Sequence, residues 1–313
     1  MSQCFAQTSA SPTVPSPPFR STIKKSVVFL HAYYTAIGNV PMVDSATAFI
    51  VQVPDPRLPG GLAFNYLVTN RHAVQPGIAE GHPVTVERYS LDVNGRDNGS
   101  GASVLTHVPL ENASWEFPED NSVDLAVMLI LKDFSVYDVT ALRASDLVTE
   151  KMLKEQSIGE GDSVFFTGLF VQFQGEVRLE PIVRQGVLAM IPSEPITTTL
   201  GSRGRMYLAD MHAFGGNSGS PVFVNLTGAR NGVVLVGDSY RVLGVLSGMM
   251  TESANFELKA TTTFDGSVGM NSGISTIVPA DELLKLLDSP SLQMERDRVL
   301  AETLKHWPGG GGH

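Results

Sequence analysis

The chain has 313 residues, 42% of them apolar and 17% charged, with a formal charge of −10, a pI near 5.1 and a mean hydropathy of +0.06. That length suits one large domain or two of about 150 residues, and the negative charge repels phosphate backbones, which argues against a nucleic-acid partner. The single cysteine, Cys4, excludes an intramolecular disulfide, and no apolar run reaches the ~18 residues that a membrane span needs.

Residues 1–22 are rich in Ser, Thr and Pro and read as a disordered tail. They lack a basic start and an apolar core, so no signal peptide is read and cytoplasmic residence is expected. From Ser26 the pattern changes. SVVFLHAYYTAIG, TAFIVQV and LAFNYLVTN are short runs of β-branched and aromatic residues separated by turn-formers, most clearly PDPRLPGG at 54–61. They predict sequential antiparallel strands. VNGRDNGSGAS (93–103) reads as a polar loop, and SVDLAVMLILK (122–132) as a buried strand. A connector follows. Within it SDLVTEKMLKEQ predicts about two turns of helix capped by Ser145 or Asp146.

A second β-rich set comes next: DSVFFTGLFV, VRQGVLAMIP, RMYLADMHAF, SPVFVN, GVVLVGD and YRVLGVLSGMM. After Pro279, ADELLKLLDS places Leu283, Leu284 and Leu287 on one helical face, and a second amphipathic stretch follows Pro290. Two β blocks of similar size predict two packed antiparallel barrels with a site in the crevice between them. The expected divisions are a tail (1–22), an N-terminal barrel (23–135), a connector (136–158), a C-terminal barrel (159–278), a helical segment (279–307) and a flexible end (308–313).

Three residues carry the chemistry. Ser218 lies in AFGGNSGSPVF, between glycines that permit a tight turn and leave a carbonyl's approach open. His72 follows an apolar strand in YLVTNRHAV. Asp124 opens the apolar run of NSVDLAVMLI, where an unpaired carboxylate is costly. The order is His, Asp, Ser, at intervals of 52 (124 − 72) and 94 (218 − 124), which splits the set between the two blocks. The chemistry assigns the roles. His72 takes the Ser218 proton, Asp124 orients and stabilises the imidazolium, and the Gly216 and Ser218 amides hold the oxyanion.

These motifs resemble the trypsin-like serine peptidases of the chymotrypsin fold. TNRHAV, VDLAVMLI and GGNSGSPVF are similar to the histidine, aspartate and serine motifs of the disulfide-free bacterial branches, the HtrA/Deg proteases and the V8-type glutamyl endopeptidases. The resemblance spans about residues 26–288. It implies an all-β fold of two six-stranded barrels with a C-terminal helix, and hydrolysis of protein or peptide substrates through an acyl-enzyme. In relatives, VGDSYRVLGVLSG would line the primary specificity pocket. The resemblance thus places Leu246, Ser247 and Met249 in the pocket and His212, six residues before the nucleophile, at its base.

There are departures. The 25 residues (313 − 288) after Asp288 leave no room for a PDZ domain. Leu246 stands where V8-type enzymes carry a histidine, which speaks against strict glutamate specificity. Asn217 is uncharged where zymogens of the trypsin type bury an aspartate.

His31, His82 and His107 show no cysteine or carboxylate cluster at metal spacing. Nucleotide-binding glycine strings are missing, so neither metal nor cofactor is expected. Two rival readings remain: a catalytically silent protease-like binding module, and an esterase-like hydrolase. The strand-rich pattern and the His–Asp–Ser order oppose the α/β-hydrolase form of the latter.

Overall fold

A computed structural model describes residues 22–36, 38–58, 62–96, 104–131, 134–237, 239–259 and 263–306, with the backbone alone over 253–269 and at 306. The expected tails, apart from Thr22, and Cys4 with them, lie outside the described residues.

The first half supplies β1 (Val27–Ala36), β2 (Val40–Pro54), β3 (Ala63–Thr69), the one-turn helix α1 (Arg71–Val74), β4 (Val86–Asn94), β5 (Leu105–Leu110), β6 (Ala126–Ile130) and the short β7 (Leu142–Arg143). The antiparallel order is β5-β4-β1-β2-β3-β6, with β7 parallel to β2. One face of all six long strands converges on a single core. Val28 and Leu30 of β1 meet Ala48 and Ile50 of β2, Leu67 of β3, Leu91 and Val93 of β4, Val108 of β5 and Met128 of β6. Side chains that alternate in and out, yet meet from every strand, require the sheet to curl around that core.

A short connector carries helix α2 (Glu150–Glu155). Its N-cap is Thr149, whose hydroxyl accepts the Met152 N–H at 3.1 Å, and not Ser145 or Asp146. Ser145 and Asp146 belong instead to a separate 3-10 turn (Ala144–Asp146), which the extended Leu147, bridged to Val242, parts from α2.

The second half is a closed six-stranded barrel. Its strands are β8 (Ser163–Gly168), β9 (Ile182–Met190), β12 (Tyr207–Asp210), β13 (Pro221–Asn225), β16 (Tyr240–Lys259) and β17 (Thr263–Pro279), in the order β12-β17-β16-β13-β8-β9. Two small hairpins attach to it, β10 (Ile196–Thr197) with β11 (Arg203–Gly204), and β14 (Gly228–Arg230) with β15 (Val233–Leu235). Strands β16 and β17 continue beyond the barrel as a long paired arm, with Thr251 opposite Asn271 and Lys259 opposite Thr263.

Two C-terminal helices close the molecule, α3 (Ala280–Leu287) and α4 (Pro290–His306). Leu283 and Leu287 of α3 are buried as expected, but Leu286 is their buried companion while Leu284 is only partly covered. Their apolar face joins a large core shared by both halves, in which Phe49, Tyr66 and Val68 pack with Phe223, Val242 and Val278. The buried Arg296 of α4 reaches back to the Tyr66 hydroxyl at 3.0 Å and the Leu287 carbonyl at 2.8 Å. No helix among the described residues is long and apolar enough to cross a membrane.

Candidate active site

Strand β3 ends at Thr69, and Asn70 leads into α1, which displays His72. Asn70 is fully buried and its amide donates to the Asp124 carbonyl at 2.8 Å, so the start of α1 is tied to the segment entering β6. The His72 ring then meets the Asp124 carboxylate, with Nδ1 2.7 Å from Oδ2, while the His72 backbone N–H donates to Oδ1 at 3.1 Å. A carboxylate only accepts, so Nδ1 carries the proton and the lone pair of a neutral ring is on Nε2.

Asp124 has no solvent exposure, and a bare charge there would be prohibitive. Two further donors complete its shell: Ser247 Oγ at 2.6 Å and Thr199 Oγ1 at 3.0 Å, both on Oδ2. Thr199 comes from the turn between β10 and β11. It closes over Gly248, where a Cβ would lie 2.6 Å from its methyl group. Burial pushes the Asp124 carboxyl upward, but the His72 charge and the converging hydrogen bonds outweigh it and hold the pKa below the usual range. For His72, burial likewise opposes the charged form. The Asp124 carboxylate prevails, with smaller help from Glu80 and Asp44, and raises its pKa.

Ser218 stands at the junction of two turns. Asn217 N–H donates to Phe214 C=O, and Ser220 N–H to Asn217 C=O, each at 3.0 Å. The third residue of each turn, Gly216 and Gly219, has φ of +88° and +85°, the signature of type II turns. Space demands glycine as well: a Cβ on Gly216 would lie 2.5 Å from Val171 and one on Gly219 2.0 Å from the Thr47 carbonyl. Ser218 is therefore a corner residue of the second turn. Among the described residues, neither the Gly216 nor the Ser218 amide N–H donates to a protein acceptor.

Asn217 is 2% exposed, and its side chain braces this loop. Oδ1 accepts the Phe214 N–H at 2.9 Å and Nδ2 donates to the Leu169 carbonyl at 2.5 Å. The Ser218 hydroxyl donates to the Ser247 carbonyl at 3.1 Å, and no hydrogen bond joins it to His72.

His72 and Ser218 nevertheless line one crevice of about 250 Å³, with Leu246, Ser247 and Met249 in its wall. His212 does not line it; its exposed ring lies against Gly273. Phe214 is the lining aromatic, and the Arg184 guanidinium covers its ring at 4.7 Å.

Sequence reasoning passed over Thr199, Asn70 and Thr47, because hydroxyls and amides in polar turns or at strand ends carry no local signal of a distant partner. No group of three or more potential metal ligands is found among the described residues, but His31 and His107 do share a carboxylate that their sequence spacing does not show. Asp92 in fact joins them across three strands, with Oδ2 3.1 Å from His31 Nε2 and Oδ1 2.8 Å from His107 Nδ1. On the other side of its ring, His31 Nδ1 lies 2.8 Å from Ser45 Oγ.

No protein-family model matches this sequence, and no curated protein does. Among solved structures, the chain is similar to the MamO protease domain from Magnetospirillum magneticum, at 17% identity and a TM-score of 0.45 over 86% of this chain and 100% of that one. It is similar to Deg5 at 17% identity and a TM-score of 0.44, covering 85% and 88% of the two chains. It is also similar to the active form of the Rv3671c protease from M. tuberculosis, at 15% identity and a TM-score of 0.45 over 92% of each chain.

Proposed function

We propose that this chain is a serine endopeptidase that cleaves peptide bonds through an acyl-enzyme. The observation that carries the reading is the His72–Asp124 pair in one crevice with Ser218, beside two amides that have no acceptor among the described residues. Ser218 Oγ attacks the scissile carbonyl and passes its proton to His72 Nε2. The Gly216 and Ser218 amides take the charge that develops on the carbonyl oxygen, and the imidazolium then protonates the leaving amine. Water, activated by the same histidine, releases the acyl group. Ser247 and Thr199 share with His72 the task of keeping Asp124 ionised.

Peptide-library digestion tests the reading. Cleavage that a fluorophosphonate blocks by labelling Ser218 supports it; a chain that cuts esters and no peptide would overturn it. A second reading, a silent protease-like module, draws on the Ser218 hydroxyl's bond to the Ser247 carbonyl. That bond costs a catalyst little, because a hydroxyl rotates freely about χ1 and catalytic contacts tighten when substrate binds.

Histidine must be neutral to act as the base. Its pKa is raised, chiefly by the Asp124 carboxylate acting against burial, so kcat/KM should climb with pH through a midpoint above histidine's ordinary ~6.5. Rates measured from pH 5 to 9 check it; a flat profile, or a midpoint under 6, rejects His72 as the base.

The Asn217 brace also bears on activation. Its amide satisfies both neighbours without a charge, so no buried ammonium is needed to set the loop. A chain starting at Thr22 should react with a fluorophosphonate at the rate of the full-length protein. Trimming further, to Ser26, is unsuitable because Ile23 is 3% exposed and its carbonyl accepts the Ser26 hydroxyl at 2.7 Å. Asn217→Asp, which buries a carboxylate facing the Leu169 carbonyl, should cost about 3 kcal/mol in denaturant unfolding and slow labelling. An Asp variant as stable and reactive as the parent would show that the amide is not the brace.

A further inference from the structure

The turn that carries Ser218 belongs to the second half of the molecule, yet one side chain of the first half holds it. Thr47 lies in β2 with no exposed surface, and each of its polar atoms is engaged. Oγ1 donates to the Gly216 carbonyl at 2.9 Å and accepts the Leu169 N–H at 2.8 Å. The backbone N–H donates to the Ser218 carbonyl at 2.9 Å, and the backbone carbonyl accepts the Thr69 hydroxyl at 2.8 Å.

The consequence follows from which peptide planes are pinned. The Gly216 carbonyl belongs to the 216–217 peptide and the Ser218 carbonyl to the 218–219 peptide. Thr47 fixes both. The peptide between them, 217–218, carries the Ser218 N–H, so its orientation is set from either side. Gly216 itself has no intrinsic reason to stay at φ +88°, because glycine accepts either sign of φ. The hydroxyl on its carbonyl supplies that reason. Leu169 closes the ring: its N–H meets Thr47 Oγ1 while its carbonyl meets Asn217 Nδ2.

We propose that Thr47 is a positioning residue for catalysis, its hydroxyl aiming the Gly216 and Ser218 amides at the carbonyl oxygen of the substrate. The inference rests on the peptidase reading above. Thr47 touches no reacting atom and acts through the turn.

The test compares Thr47→Val, which keeps shape and β-branching and removes only the hydroxyl, with Thr47→Ser, which keeps the hydroxyl. Rates are expressed per active site, titrated with a fluorophosphonate. For Thr47→Val, kcat on a peptide substrate should fall roughly 10- to 100-fold, because misdirected oxyanion donors lose part of the 100- to 1000-fold that deleting one costs. KM should change less than about threefold, since the interaction belongs to the transition state. Affinity for a peptide boronate, whose adduct places a negative oxygen at the same spot, should weaken by the same factor as kcat/KM. Thr47→Ser should recover most of the rate. Should valine prevent folding, Thr47→Ala carries the same comparison.

A purely structural role would reduce the number of titratable sites and leave kcat per site and boronate affinity untouched; that result overturns the proposal. So does a serine variant as impaired as the valine one, which would assign the effect to the methyl group. A wild-type chain that no fluorophosphonate labels overturns the peptidase reading and this proposal with it. A labelled wild type with an unimpaired Thr47→Val overturns this proposal alone.

Discussion

Ser218→Ala should abolish fluorophosphonate labelling and lower kcat about a million-fold, while the folded structure persists. The residue is a corner of a type II turn whose shape is fixed by Gly216, Gly219 and Asn217, none of which depends on the hydroxyl. Among the described residues, the hydroxyl's one hydrogen bond goes to the Ser247 carbonyl, at 3.1 Å on the wall of the crevice. Its loss should cost no more than about 1 kcal/mol. Stability and activity therefore separate cleanly in this variant. His72→Ala should be nearly as damaging, and the double variant little worse than either single one, because nucleophile and base work as a unit. Single-turnover assays with an activated peptide ester, alongside thermal unfolding, read both quantities. A Ser218→Ala protein retaining a hundredth of the parental rate would place the nucleophile elsewhere.

The second large effect is expected at Asp124. Asp124→Asn should lower kcat about ten-thousand-fold. The carboxylate receives four donors: the His72 backbone and ring N–H groups and the hydroxyls of Ser247 and Thr199. An amide offers only one oxygen. Its NH2 group must confront either the backbone N–H of His72 or the ring, and in the latter case the proton is driven onto Nε2, where the base must be free. Losing the charge leaves burial as the dominant influence on His72, so the pH midpoint should drop together with the rate.

Stability should respond with opposite signs at the two partners. The raised His72 pKa gives stability that is complete below ~6.5 and is lost as pH rises through the folded value. The lowered Asp124 pKa gives stability present above ~3.9 and lost as pH falls through its folded value. An Asn variant within tenfold of the parent, with an unchanged midpoint, would remove Asp124 from the mechanism.

How far the sequence could be read depended on the range of each signal. Ser218, His72 and Asp124 stand in short strings whose glycines, strand edges and apolar flanks announce a turn, a rim and a buried charge. Thr47 gave no such notice, because its partner Gly216 is 169 positions away and only the docking of the two halves joins them. Thr199 was hidden for the same reason in the polar run TTTLGSRG.

Strand β4 went unread although its pattern is plain: Tyr89, Leu91 and Val93, which pack on the core, alternate with Arg88, Ser90, Asp92 and Asn94. The Asn231–Gly232 pair was legible but unused. Its two positive φ values, 47° and 78°, make the hairpin turn of β14 and β15. The helix start at Thr149 was obscured because Ser145 and Asp146 offer equally good capping side chains, whereas they lie in a short 3-10 turn that the extended Leu147 ends before the helix.

The division of the site between the halves has a bearing on biosynthesis. His72, Asp124 and Thr47 are translated first. Thr199, Ser218 and Ser247 follow only in the later half, and two of them complete the shell of Asp124. During elongation the early half has a histidine and an aspartate but no nucleophile, and the aspartate lacks half its donors. When Ser218 leaves the ribosome, its turn still awaits the grip of Thr47. On the peptidase reading proposed above, hydrolytic power should arise only late, when the curled first sheet docks on the closed second barrel, and a nascent chain should be spared from cutting itself or its neighbours while still partly unfolded.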